Sequence, residues 1–146
     1  HHNIAATFSQ FFDFAATATM SGPKTKLFVH CEVGVSRSAT LVTALLMKTE
    51  GLSFFEAVSE VRSKRNQVLP NIGFASQLQR LEHELEPSSA NRVPSSLAQY
   101  LHQICNAPVE IDLLQSALER HDYDAPAALQ TVFGGEIPRV VQGVRA

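Results

Sequence analysis

Cysteine is scarce in this chain. There are two among 146 residues, Cys31 and Cys105, too few for a disulfide framework, and neither stands in a paired metal-binding spacing. A reducing compartment, cytoplasmic or nuclear, is therefore expected, the setting in which a reactive thiol persists. Net charge is small as well: −2 gives no basic footprint for nucleic acid or for an anionic membrane, and neither is expected as a partner. No apolar run approaches the ~20 residues that span a bilayer, and the amino-terminal stretch does not read as a signal peptide. His83, His102 and His121 show no metal spacing, and no metal or organic cofactor is expected. What remains is the composition of a globular protein, 45% hydrophobic and 18% charged.

The apolar pattern sets the order of elements. Ile4, Phe8, Phe11, Phe12 and Ala15 recur at spacings of three and four, predicting a helix from Ile4 to Met20 that Gly22 and Pro23 end. Lys26-Leu27-Phe28-Val29-His30 is a short apolar run behind a turn and reads as a buried strand. From Ala39 to Thr49 apolar residues lie nearly all round, which predicts a central, buried helix. Gly51 breaks it. Ser53 and Glu56 then form a capping box for a helix running to Arg65, with Phe55, Val58 and Val61 inward. Pro70 opens a further helix over Ile72–Leu85. Pro87 to Ser96 is small, polar and proline-flanked, and reads as a linker. Three short helical patterns follow, Leu97–Ile104, Ile111–Glu119 and Ala125–Phe133. The expected division is 1–86, a linker at 87–96 and a small helical module at 97–146.

Chemistry concentrates between the strand and the long helix. In His30-Cys31-Glu32-Val33-Gly34-Val35-Ser36-Arg37-Ser38, five residues separate a cysteine from an arginine. A loop of that length, wrapped from a strand end to a helix start, aims the successive N–H groups of Glu32, Val33, Gly34, Val35, Ser36 and Arg37 at one point. At the positive end of the following helix dipole such a nest binds a phosphate dianion. Gly34 supplies the freedom a tight loop requires, and the planar fork of Arg37 pairs two phosphate oxygens at once. Thiols in such fields have pKa values lowered to roughly 3.5–7.5, so Cys31 is the candidate nucleophile, attacking phosphorus to form a phosphocysteine. Ser38 is placed to donate a hydrogen bond to the sulfur. A nucleotide-binding loop would end in Gly-Lys-Ser or Gly-Lys-Thr, and this loop has no lysine.

The Cys-x-x-Gly-x-Ser-Arg-Ser form resembles the signature of the protein tyrosine phosphatase superfamily, most of all its dual-specificity branch. The resemblance continues through Ala39-Thr40-Leu41-Val42, Leu46-Met47, Glu56-Ala57, Arg65 to Phe74, and Gln77-Leu78. It implies an α/β fold, here a partial phosphatase-like sheet and helices holding the later half of a catalytic domain, with the helical module appended. It implies hydrolysis of phosphotyrosine, and of phosphoserine and phosphothreonine, in a phosphorylated protein substrate. It also implies that His30 orients the Cys31 backbone and tunes its pKa, and that Asn71 braces the loop. Asn71 reads equally well as a helix cap after Pro70, and Arg65 reads as a structural salt-bridge partner. The family's general acid lies further ahead of the cysteine than His1 does, and Asp13, between two phenylalanines, reads as a surface residue. The extra basic residues of phosphoinositide-specific relatives are missing, and Glu32 has the opposite sign. A phosphoprotein-binding module without turnover, and a phosphatase of a small non-protein ester, are the alternatives.

A fainter resemblance lies in Ala117 to Leu129, which is similar to the second loop of ubiquitin-associated domains. It implies ubiquitin or another protein as a partner of 97–133. The first-loop hallmark is replaced by Cys105-Asn106-Ala107-Pro108, and a helical extension docked on the phosphatase is the stronger reading.

Overall fold

The computed structural model describes residues 2–106, 108–135 and 137. His1, Ala107 in the first loop of the expected module, and its tail at 138–146 lie outside the described residues. A 3-10 turn at Ile4–Thr7 leads into α1 (Phe8–Thr19), followed by α2 (Arg37–Glu50), α3 (Phe54–Lys64) and α4 (Ile72–Leu85). A second 3-10 turn, Pro87–Asn91, precedes α5 (Ser96–Ile104), α6 (Ile111–Arg120) and α7 (Ala125–Phe133).

The expected strand at Lys26–His30 does not form, and no strand occurs among the described residues. A strand is completed by the hydrogen bonds of a neighbour, and the described residues supply none. Phe28, expected to be buried, is 84% exposed and stacks on His30 with ring centroids 5.3 Å apart. The sheet implied by the resemblance is therefore not seen among the described residues, whose fold is helical.

Local signals explain the helix ends. Ser53 Oγ accepts the Glu56 N–H at 3.1 Å while Glu56 Oε2 accepts the Ser53 N–H at 2.8 Å, completing the capping box. Gly51 ends α2 with φ +67°, a left-handed conformation that glycine adopts without steric penalty. Asn71 Oδ1 accepts the Phe74 N–H at 2.9 Å and starts α4. Within α3 the fully buried phenylalanine is Phe54, whereas Phe55 is half-buried.

The central helix is α4, not α2. It touches α2, α3, α5, α7 and both 3-10 turns, while Leu41, Val42, Leu45 and Leu46 of α2 stay partly exposed. Polar side chains on one side of α4 serve as caps for three other helices. Glu82, 2% exposed, accepts the Phe54 N–H that opens α3 at 2.8 Å and the Ser96 hydroxyl at 2.6 Å. Gln79 Oε1 accepts the Leu97 N–H at 2.7 Å, and Ser76 Oγ accepts the Ala125 N–H at 2.8 Å. The first N–H groups of a helix have no intrahelical partner, so α4 satisfies donors of α3, α5 and α7 that burial would otherwise strand. The Glu82 carboxylate also faces the positive ends of two helix dipoles.

Residues 87–96, expected as a linker, are ordered by the same device. Arg92 reaches Glu82 at 3.1 Å, Ser95 Oγ accepts the Ala98 N–H, and the Ser95 N–H donates to the buried Gln115 at 2.8 Å. One apolar cluster runs from Ile4 and Phe8 through Phe54, Val58, Phe74 and Leu78 to Leu101, Leu118 and Leu129. The carboxy-terminal helices thus dock on α3 and α4 within a shared core. No helix among the described residues is long and apolar enough to cross a membrane.

Candidate active site

Cys31 sits just ahead of α2, half-buried. Its Sγ lies 3.2 Å from Ser38 Oγ and accepts the Gly34 N–H at 3.2 Å. Burial alone would raise the thiol pKa. The Ser38 hydroxyl, together with the backbone N–H groups of Ser38, Gly34 and Val33, outweighs it and lowers the pKa from 9.0 to about 7. Hydrogen bonds to the charged form thus hold the thiol at the edge of ionisation at neutral pH.

The loop is held from behind by the segment joining α3 to α4. Arg65 Nε donates to the Gly34 carbonyl at 3.3 Å. The Leu69 N–H donates to the Val35 carbonyl at 2.9 Å, and the Asn71 N–H donates to Ser36 Oγ at 3.0 Å. Three successive loop residues each receive one donor, which fixes the direction of the peptide groups between them. Ser36 is 2% exposed, and its carbonyl accepts both the N–H and the hydroxyl of Thr40 at 2.8 Å, tying the loop to the first turn of α2. Gly34 has φ +71°, and a Cβ there would stand 3.4 Å from the Arg65 guanidinium. The loop therefore favours glycine for its conformation, and a Cβ there would make only ordinary contact with that side chain.

Arg37 opens α2 with its side chain 43% exposed and its guanidinium 3.4 Å from the exposed Glu32 carboxylate. At that exposure the ion pair contributes little, leaving the fork available to a phosphate. An open cavity of about 610 Å³ adjoins Cys31, lined in part by Phe28, Val33, Gly34, Val42, Val61 and Lys64.

The structure brings Cys31, Val33, Gly34 and Ser38 together around one sulfur, with Val35 and Ser36 as the braced back of the loop and Glu32 and Arg37 at its rim. Asn71 caps α4 with its side chain and donates its N–H to Ser36. His30 is exposed against Phe28 and supplies none of the described hydrogen bonds to Cys31. Arg65, expected in a salt bridge, forms none among the described residues and instead supports Gly34. Its guanidinium suits a carbonyl, but nothing local in sequence points across the 31 positions that separate them. Asp13 is exposed on α1, and Cys105 is buried, its pKa raised by that burial to about 11. Among the described residues no group of three or more His, Cys, Asp or Glu is placed to hold a metal ion.

This arrangement places a thiol in a nest of N–H groups ahead of a helix with an arginine at its first turn. Residues 1–84 match the family described as "Dual specificity phosphatase, catalytic domain", and the chain belongs to that family. Human "Dual specificity protein phosphatase 5" is 39% identical over 94 residues, 64% of this chain and 24% of that protein. "Dual specificity protein phosphatase 1B" of Arabidopsis thaliana is 42% identical over 84 residues, 58% of this chain and 49% of that protein. The crystal structure of human DUSP28 is similar with a TM-score of 0.55 at 35% identity, over 58% of this chain and 56% of that one. The chain thus spans about half, or less, of the length of the curated relatives named here.

Proposed function

We propose that this protein hydrolyses phosphotyrosine, and also phosphoserine and phosphothreonine, in phosphorylated proteins. The observation that carries the reading is the Cys31 sulfur, 3.2 Å from both Ser38 Oγ and the Gly34 nitrogen and titrating at about 7. The loop amides and Arg37 hold the phosphoryl oxygens, and the thiolate attacks phosphorus in line. A sulfur–phosphorus bond forms as the phosphorus–oxygen ester bond breaks, and the leaving oxygen takes a proton from solvent water. Water then attacks phosphorus, inorganic phosphate departs, and the electron pair returns to sulfur as the Ser38 hydroxyl stabilises the regenerated thiolate. A reducing, cytoplasmic setting suits a thiol poised in this way.

Helices α5–α7 enter this proposal as part of the framework rather than as a ubiquitin receptor, because α5 and α7 place buried faces on α4. The test is phosphate release from phosphotyrosine and phosphothreonine peptides, alongside acid-quench trapping of a phosphoenzyme. Wild type is expected to release phosphate and form the adduct, and Cys31→Ser to bind peptide without doing either. Peptide binding by wild type with no release and no adduct would instead favour a phosphoprotein-binding module.

A further inference from the structure

We propose that Tyr100, on α5, is a positioning residue for the phosphate loop, acting through the Pro70–Asn71 peptide group on Ser36. The proposal rests on the phosphatase reading and adds to it a residue beyond the part of the chain that matches the family, which ends at residue 84. The Tyr100 ring is fully buried against Phe54, with centroids 5.2 Å apart. Its hydroxyl donates to the Pro70 carbonyl at 2.7 Å. Burial pushes the phenol above its ordinary range, so the group stays a donor at working pH.

The Pro70 carbonyl and the Asn71 N–H belong to one amide. That amide is planar and trans, with oxygen and hydrogen pointing in opposite directions. Pinning the oxygen on Tyr100 therefore aims the hydrogen, and the hydrogen goes to Ser36 Oγ at 3.0 Å. A hydrogen bond accepted by the carbonyl also polarises the amide and strengthens what its N–H donates. Proline contributes by having no N–H of its own, so the strap offers only the flanking donors of Leu69 and Asn71, and both enter the loop. Ser36 lies between Gly34, whose N–H meets the Cys31 sulfur, and Arg37, which carries the fork. Tyr100 thus links the docked helices to the reacting thiol through Pro70, Asn71, Ser36 and the loop backbone without touching it.

Three measurements on the full chain test this, in wild type, Tyr100→Phe and Leu118→Val. These are the pH dependence of Cys31 alkylation by iodoacetamide, vanadate affinity and thermal melting. Wild type should inflect near 7. Tyr100→Phe keeps the ring and should move the inflection upward while weakening vanadate by about two- to ten-fold, the span of one net hydrogen bond. Leu118, fully buried in α6 and outside the relay, should on trimming lower the melting temperature and leave both other readouts unchanged. A wild-type inflection and vanadate affinity in Tyr100→Phe would overturn the proposal. So would the same shifts in Leu118→Val, which would show general loosening of the core. An unshifted inflection near 9.0 in wild type would overturn the phosphatase reading itself, and that result is distinguishable because it does not involve Tyr100.

Discussion

Replacing Ser38 by alanine removes one oxygen and leaves the backbone of the loop in place. That oxygen lies 3.2 Å from the Cys31 sulfur and is the largest of the contributions lowering the thiol pKa. The N–H groups of Ser38, Gly34 and Val33 survive the substitution, so the pKa should climb from about 7 only part of the way to 9.0. Hydrogen bonds to charged groups contribute about 1.5–3 kcal/mol, and one pKa unit is about 1.36 kcal/mol. Because the sulfur is only half-buried, the lower end applies, a rise of about one unit. At pH 7 the thiolate fraction should then fall from about one half to about one tenth. The same bond stabilises sulfur as it leaves phosphorus, so the second chemical step should slow by about ten-fold or more. The assay is a pre-steady-state burst with an aryl phosphate, run beside alkylation across pH. Ser38→Ala should retain a burst, accumulate phosphoenzyme and inflect later. An unmoved inflection with an unchanged steady-state rate would refute the assignment of Ser38.

Arg37→Lys should lose vanadate affinity by about ten-fold or more, because a point charge does not reproduce the planar fork; equal affinity in isothermal titration would remove Arg37 from the cradle. Cys31→Ser should flatten the pH dependence of stability between about 7 and 9.0. The folded thiol titrates below the unfolded one, so its contribution is full above 9.0 and is lost as pH falls through about 7; urea melts showing identical slopes in mutant and wild type would contradict this. Glu82→Ala should cost about 2–6 kcal/mol, about 1–3 for each of the Phe54 N–H and the Ser96 hydroxyl that it strands, while Arg92 keeps Glu86 at 3.6 Å. Its urea melt should remain a single transition, and a separate early phase for the carboxy-terminal helices would count against the shared core.

Features governed by neighbours in sequence were legible and those governed by distant neighbours were not. The capping box at Ser53 and Glu56, the stop at Gly51 and the start of α4 at Asn71 all act within one helical turn. The phosphate loop was legible for the same reason, since its nucleophile, its donors and its arginine lie within eight residues. The strand at Lys26–His30 failed because apolar composition does not supply a pairing partner. Pro87–Ser96 looked like a linker because serine and proline are common in loops, yet Ser95 and Ser96 are buried and hydrogen-bonded. Nothing in Arg80-Leu81-Glu82-His83-Glu84 sets Glu82 apart from Glu84, and only tertiary packing shows it inside. The Tyr100 bond to Pro70 spans 30 positions and leaves no periodic trace.

The caps carried by α4 constrain how the gene can change length. Ser76, Gln79 and Glu82 recur every three residues, and their targets lie on three separate helices. One residue inserted between Ser76 and Glu82 would turn the cap beyond it by about 100°, so no compensating shift could restore all three pairings at once. Point substitution inside α4 can spare most of these bonds, whereas insertion or deletion there cannot.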